Sequence, residues 1–218
     1  MHKIYRALWQ TTAGAINPLV GGSLGALGYD ADYSLSVGEP VPAPDFENLR
    51  VDADGSATAP IGTLLDVGAV GKGELIDLVF AALSASGWSG IVDAGGDIRV
   101  SEGEMIRVAL EHPSDASQAI GVVELSGKAV AASATNRRAW KSVHHIVDAR
   151  TGIPATEVSA TWAIAGTAAQ SDAIASALFF TTADEIQAAG EFGEFEYVRI
   201  FSTGMVEFWL PSGEVFTA

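Results

Sequence analysis

Hydrophobic and polar positions alternate along much of the second half of the chain, with a period of two that predicts β-strands. Alternating segments span residues 106–110, 120–125, 129–132, 197–201 and 206–210. Two further pairs of short strands are predicted around the dipeptides Asp54-Gly55 and Gly95-Gly96, which favour turns or breaks between strands. The pattern therefore predicts several antiparallel strands between residues 91 and 132 and a closing hairpin near the C-terminus.

Apolar residues at helical spacing, without breakers, fill the segments between these strands. The predicted helices cover residues 4–12, 19–27, 74–86 and 171–178. One more helix begins after Thr182, because Thr182 and Glu185 have the spacing of a capping box. A short apolar strand is predicted to end at Asp66, directly before a glycine-rich turn.

Composition is that of a globular protein with ample apolar material for a core. The chain has 218 residues, of which 48% are hydrophobic and 18% are charged. This length suits one large domain or two packed lobes. The sequence contains no internal repeat and no linker long enough to separate two domains.

Charge narrows the choice of partners. The formal net charge is -15, and such a surface repels nucleic acid and anionic membranes. Binding to a phosphate backbone is therefore not expected. A small phosphate ligand remains compatible with the charge, provided that a divalent cation or a few local lysines and arginines hold it.

Cysteine is absent, which excludes disulfides, thiolate nucleophiles and cysteine-bound metal centres. No apolar run reaches transmembrane length, and the first residues have no hydrophobic region of signal-peptide length. The residues given therefore predict a chain without a membrane segment or export signal, cytoplasmic as it stands.

The glycine-rich turn between Asp66 and the helix predicted over 74–86 contains three glycines and Lys72. Glycines allow a ligand to approach the backbone closely, and a helix N-terminus favours anions. The turn thus suggests a phosphate or pyrophosphate site, although its spacing matches neither of the common nucleotide-binding fingerprints. An ordinary strand-to-helix turn with a solvated lysine is the alternative.

Two carboxylates, Asp93 and Asp97, flank Gly95-Gly96, and Asp97 shares a strand face with Arg99. The arrangement fits either a ligand site or a hairpin with a structural salt bridge. Farther along, the loop that begins at Ser133 combines small hydroxyl residues with two arginines, which suits an anion or a plain surface loop.

The stretch 142–180 holds the remaining candidates. His144 and His145 are adjacent on a predicted strand and so point to opposite faces, which means that at most one of them serves a given site. Asp172 and Ser176 are four residues apart and share one helix face. Their oxygens suit a hard cation such as Mg²⁺. Alternatively, Asp172 only favours the helix N-terminus and Ser176 only packs.

Taken together and in order, these motifs resemble the ApbE family of magnesium-dependent FAD:protein FMN transferases. The resemblance is carried by five segments: Asp66-Val-Gly-Ala-Val-Gly-Lys-Gly, Val92-Asp-Ala-Gly-Gly-Asp-Ile, Val130-Ala-Ala-Ser, His144-His-Ile-Val-Asp-Ala-Arg-Thr-Gly and Asp172-Ala-Ile-Ala-Ser. It extends from about Tyr5 to the C-terminus. It implies an α+β fold of antiparallel sheets and packed helices, with a flavin cleft between two halves.

The same resemblance implies an activity and roles for individual residues. The reaction is transfer of FMN from FAD to a Thr or Ser hydroxyl of a target flavoprotein, with release of AMP. His145 would be the catalytic base. FAD would be bound by Asp66, Lys72, Asp97 and Ser133. Mg²⁺ would be held by the Ala69 carbonyl, Asp172 and Ser176.

The sequence departs from the usual family pattern at several positions. Ser176 replaces a Thr and Ala149 replaces a Pro, and the segment that usually precedes Tyr5 is not present. We therefore expect a single domain over residues 1–218 that lacks this segment. Two alternative functions follow, a pyrophosphatase that splits FAD into FMN and AMP and a non-catalytic flavin-binding domain. Relatives are often periplasmic or membrane-anchored.

Overall fold

The computed structural model describes residues 1–216, which contain five α-helices and two short 3₁₀ helices. The α-helices are α1 (His2–Thr11), α2 (Gly21–Ala26), α3 (Gly71–Ser84), α4 (Ala168–Ala177) and α5 (Ala183–Ala189). The 3₁₀ helices are Pro18–Val20 and Phe46–Asn48. None of the helices in residues 1–216 combines the length and the hydropathy needed to span a bilayer.

Fifteen short strands complete the described part of the chain. They are β1 (Arg50–Val51), β2 (Ala57–Thr58), β3 (Ile91–Asp93), β4 (Ile98–Val100), β5 (Ile106–His112), β6 (Asp115–Leu125), β7 (Ala129–Ala134), β8 (Ala139–Trp140), β9 (Val143–His144), β10 (Val147–Asp148), β11 (Ile153–Pro154), β12 (Val158–Ala165), β13 (Glu196–Phe201), β14 (Val206–Trp209) and β15 (Gly213–Val215).

A six-stranded sheet with the order β14-β13-β12-β7-β4-β3 forms the centre of the molecule, and every pair in it is antiparallel. A second sheet, β15-β6-β5, packs against one of its faces, and helices α1, α4 and α5 cover the other. The molecule is thus three layers deep, with mixed helices and antiparallel sheets as the family resemblance implies.

Side-chain size distinguishes the two faces of the central strand β12. Trp162 and Ile164 point into the core shared with the second sheet, whereas Ala163 and Ala165 face the helices. Alanine on the helical face allows α4 to approach the sheet closely. The Thr161 hydroxyl donates a hydrogen bond to the Ala175 carbonyl at 2.6 Å, which ties the helix to the strand.

Helix α4 is buried on nearly all sides, because eight of its ten residues are inaccessible to solvent. A helix without a polar face belongs in the interior of a protein. It contacts α3, β7, β12 and α1. The consequence for function is that any polar side chain on α4 is presented inside the protein, next to the elements around it.

Most predicted elements are confirmed, including the hairpins β1–β2, β3–β4 and β13–β14 and the capping box of α5. The prediction of a short strand that ends at Asp66 is wrong. Leu64 and Leu65 are exposed, and the Asp66 N–H bonds to the Pro18 carbonyl across a loop instead of to a strand. Strand β3 lies at the edge of the central sheet, and its first residue, Ile91, is 42% exposed.

Candidate functional site

The glycine-rich turn before α3 is built by local hydrogen bonds. The Asp66 carboxylate accepts from the Gly68 N–H at 2.8 Å, and the Gly71 N–H donates to the Val67 carbonyl at 2.7 Å. Glycine is required at position 73, where a Cβ would lie 2.3 Å from the Ala168 carbonyl oxygen. This close approach brings the first turn of α3 against the first turns of α4.

Two of the three oxygens predicted for Mg²⁺ are in contact beside this crossing, and the third lies one helical turn away on the same face of α4. The Asp172 carboxylate is 2% exposed and accepts a hydrogen bond from the Gly73 N–H at 3.0 Å. One turn later on α4, the Ser176 hydroxyl donates to the Ala69 carbonyl at 3.3 Å. A carboxylate, a hydroxyl and a backbone carbonyl are the hard oxygen donors that Mg²⁺ accepts, with water and phosphate oxygens completing its shell. The residues present fit the ion.

Negative charge accumulates at the same place. Burial and the charge of Asp97 raise the pKa of Asp172 to about 7. Asp97 is 1% exposed, and burial raises its pKa although Lys72 forms an ion pair with it at 2.7 Å. Lys72 is paired with only one of these two buried carboxylates, so a divalent cation would balance the charge of the site.

Clusters of three or more histidine, cysteine, aspartate or glutamate side chains suited to a metal do not occur within residues 1–216. The oxygen set described above is of another kind, because only one of its three donors is a carboxylate.

The two adjacent histidines have different environments. His144 contacts the Ala155 carbonyl at 2.8 Å through Nε2, and its Nδ1 accepts from the Ile146 N–H at 3.3 Å, so both ring nitrogens are engaged by the backbone. His145 lines the cleft, and its buried Nδ1 has no hydrogen-bond partner among the described residues. Burial, followed by the charge of Arg138, lowers the pKa of His145 to about 4. His145 is therefore a neutral imidazole facing the cleft.

A cleft of about 700 Å³, including its open mouth, lies beside the oxygen set. Five of the predicted site residues line it: Asp66, Ala69, Ser133, His145 and Ser176. The other three, Lys72, Asp97 and Asp172, form the adjoining charged cluster at the α3–α4 crossing. Three regions of the sequence form the cleft walls, which are residues 5–29, 66–69 and 133–180.

The motifs in the sequence did not identify three other residues of the cleft wall individually. Tyr5 on α1 is 3% exposed, and burial, together with the charges of Asp66 and Asp172, raises the pKa of its phenol. Tyr29 stacks on Trp140 with ring centroids 5.6 Å apart. Arg138 adds positive charge beside His145. The two arginines after Ser133 were a partial signal for Arg138, whereas nothing local distinguished the tyrosines.

Comparison with known sequences gives a family match and two curated relatives. The profile of the ApbE family matches residues 3–197. A "FAD:protein FMN transferase" from Rhodobacter capsulatus is 30% identical over 186 residues, covering 76% of this chain and 35% of that protein. A protein of the same name from Treponema pallidum is 29% identical over 207 residues, covering 80% of this chain and 57% of that one. The chain thus spans between about a third and somewhat more than half of these relatives.

Solved structures show the same architecture. The ApbE protein of Thermotoga maritima superimposes with a TM-score of 0.80 at 25% identity, over 95% of this chain and 74% of that one. The flavin transferase ApbE of Vibrio cholerae gives a TM-score of 0.71 at 18% identity, over 96% and 73%, and supports the fold alone. The family match over most of the sequence and the shared fold lead to one conclusion: the chain belongs to the ApbE family.

Proposed function

We propose that this chain transfers FMN from FAD to a hydroxyl group of a target flavoprotein in a magnesium-dependent reaction. The observation that carries the proposal is the placement of Asp172 and Ser176 on one face of α4, with Ser176 in contact with the Ala69 carbonyl, beside a cleft that presents a neutral His145. The names of the two curated relatives support the same reaction class.

FAD would lie along the cleft with its pyrophosphate beside the first turn of α3. Arg138 supplies positive charge in the cleft, and the backbone of the glycine-rich turn allows close approach. Lys72 is held by its ion pair with Asp97, which orients its ammonium at the rim of the charged cluster. Asp66 and Ser133 line the wall and provide hydrogen-bonding groups for the dinucleotide.

The chemical step is a displacement at the phosphorus of the FMN half. A Thr or Ser hydroxyl of the acceptor loses its proton to His145, and its oxygen forms the new phosphoester bond. The anhydride P–O bond breaks, and AMP leaves with the bridging oxygen and its electron pair. When bound, Mg²⁺ would neutralise the pyrophosphate oxygens and assist departure of AMP.

The test combines the purified chain with FAD, Mg²⁺ and a domain that carries an acceptor Thr. Flavin fluorescence that stays on the acceptor after denaturation, together with AMP, is the expected result. Free FMN with AMP, in equal amounts with or without acceptor, would instead indicate a pyrophosphatase. If neither flavinylated acceptor nor free FMN is formed, the result would indicate a non-catalytic flavin-binding domain.

Asp172→Ala is expected to abolish metal-dependent turnover while leaving the fold intact, because it removes the one charged ligand. Ser176→Thr restores the residue usual in the family, keeps the hydroxyl and serves as the matched variant, with activity near that of the wild type. Full activity of Asp172→Ala would refute the proposed metal site.

A further inference from the structure

The N-terminus of α4 is capped by a carboxylate from the neighbouring helix α3. The Ala168 N–H donates to Oδ1 of Asp77 at 3.0 Å, and the Ala169 N–H donates to Oδ2 at 2.9 Å. The Thr167 hydroxyl accepts from the Gln170 N–H at 3.2 Å. Because the first N–H groups of a helix have no partner within it, Asp77 satisfies two donors that would otherwise be unpaired.

Asp77 is itself held in place from the central sheet. Arg99 of β4 donates from its guanidinium to Oδ1 of Asp77, and the same guanidinium lies over the Phe80 ring, 4.3 Å from the ring centroid. The Asp77 side chain is 19% exposed, so solvent competes weakly for these bonds. Three elements, α3, α4 and β4, therefore meet at one carboxylate.

The same three elements meet again one turn earlier on α3. Lys72 pairs with Asp97 next to β4, and the Gly73 N–H bonds to Asp172 of α4. Two ion pairs thus join helix α3 to the β4 segment. In one of them α3 supplies the cation, Lys72, and in the other it supplies the anion, Asp77. The second meeting point is the candidate metal site.

Helix geometry connects the two points. Asp172 lies one turn beyond Ala168, and Ser176 lies one turn beyond Asp172. Alanine methyl groups form much of the apolar contact of α4 with its surroundings. Hydrogen bonds from Thr161 to the Ala175 carbonyl and from Ser171 to the Ala129 carbonyl hold α4 against the central sheet, so the bonds to Asp77 matter chiefly for its axial position relative to α3. Hydrogen bonds at its first turn specify that position strongly, because they require both N–H groups to face one carboxylate.

We propose that Asp77 is a positioning residue that sets the axial position of α4 against α3, and thereby the spacing of the Asp172 and Ser176 oxygens from the Ala69 carbonyl. This inference rests on the proposed function for the identity of the ion. Asp77 is not one of the three proposed Mg²⁺ ligands, and it does not line the cleft proposed for FAD. Its carboxylate acts through the helix that carries two of the three oxygens.

The test variant is Asp77→Asn, which keeps the size of the side chain. It replaces one acceptor oxygen by an amide donor that faces a backbone N–H. The matched control is Glu185→Gln, which weakens the capping box of α5 at a distance from the site. Both variants weaken a helix cap, so both are expected to lower the unfolding midpoint.

Two measurements distinguish positioning from simple destabilisation. By calorimetry with Mg²⁺ alone, Asp77→Asn is expected to bind at least about tenfold more weakly than the wild type, the range typical of residues that orient metal ligands. By hydrogen exchange without metal, the Gly73 amide, which Asp172 protects in the wild type, should exchange faster in Asp77→Asn. Glu185→Gln should change neither quantity.

Wild-type Mg²⁺ affinity in Asp77→Asn, or unchanged protection of the Gly73 amide, would overturn the inference. If the wild type itself binds no Mg²⁺, the proposed metal dependence fails. The exchange of the Gly73 amide then decides the positioning role alone, because that measurement involves no metal.

Discussion

Asp172 is a buried carboxylate whose hydrogen bond comes from a backbone N–H, while the nearest lysine is paired with Asp97. Burying charge without a full counter-charge destabilises a fold, and strongly shifted groups of this kind concentrate at functional sites. Burial and the charge of Asp97 raise the pKa of Asp172 to about 7. The residue therefore lowers stability in the absence of a cation.

Asp172→Asn should remove this cost in metal-free protein. The folded pKa of Asp172 lies above its value of 3.8 in the unfolded chain, so the native state binds more protons and stability falls as pH rises from about 4 to about 7. With chelator present at pH 8, we expect the variant to be more stable by on the order of 2 kcal/mol. Urea unfolding of the wild type and of Asp172→Asn at pH 5 and pH 8 measures this difference in the free energy of unfolding. An equal pH dependence in both proteins would contradict the raised pKa of Asp172.

His145 leads to a separate expectation about catalysis. With a pKa of about 4 the imidazole is already neutral at pH 6, where an unperturbed histidine with a pKa of 6.5 would be mostly protonated. At saturating Mg²⁺ and FAD, the transfer rate should lack an acid limb near pH 6.5, and His145→Ala should lower it by roughly 100-fold or more. His144→Ala, at the backbone-bonded neighbour, is the comparison variant, and a larger loss there would reverse the roles.

At the level of elements, the site depends on how closely α3 and α4 approach. Position 73 has no room for a side chain, since an added Cβ would meet the Ala168 carbonyl oxygen at 2.3 Å and the Ala169 Cα at 2.8 Å. These are backbone atoms, which cannot move aside as a flexible side chain can. The two helices therefore hold their separation only while residue 73 is glycine.

Gly73→Ala is expected to lower the free energy of unfolding by about 2 kcal/mol or more and to weaken Mg²⁺ binding, because relief of the clash separates α3 from α4. Gly22→Ala is the control, since a Cβ on that helical glycine has no atom within 4 Å. It should leave stability unchanged or raise it by up to about 1 kcal/mol. Thermal unfolding measures the stability of both variants, and calorimetry measures their Mg²⁺ binding. Equal effects in the two variants would show that the close contact of Gly73 with α4 does not control the site.

Across the whole molecule, the cleft is closed by segments far apart in the sequence. Tyr5 and Asn17 come from the first helix and the loop after it, and Arg138 and Phe180 come from the second half. A ligand that spans these walls binds the folded state and not the unfolded chain. In the proposed function, FAD would bring two more negative phosphates to a chain of net charge -15, so a bound cation would favour its binding.

FAD and Mg²⁺ together should therefore stabilise the protein more than the sum of their separate effects. A single ligand at 100 times its dissociation constant is expected to raise the free energy of unfolding by about 2.7 kcal/mol. The measurement is the rise in the unfolding midpoint with each ligand alone and with both together. Asp172→Ala should remove the effect of Mg²⁺ and most of the synergy. An equal shift from FAD with chelator alone would argue against a shared site.

Much of this protein follows from local patterns in its sequence. Local sequence pattern located β5, β6, β7, β13 and β14, because runs of strand-forming residues bounded by turn signals are a property of neighbouring residues. Strand β12 was missed, because it lies at the centre of the sheet and its run Ala160-Thr-Trp-Ala-Ile-Ala is buried on both faces, which removes the alternation. The strand expected before Asp66 failed because apolar residues there lie in an exposed loop.

The sequence by itself determined the family, most of the elements and the residue types of the candidate site, because ordered motifs and short-range periodicity are properties of neighbouring residues. The family resemblance selected His145, whereas alternation alone only places His144 and His145 on opposite faces of a strand. The tertiary structure decided that the side chain of His145 lines the cleft and that the backbone engages both ring nitrogens of His144. It also decided that Asp77 caps α4 and that Gly73 touches its backbone, because contacts across more than 90 residues depend on how helices pack.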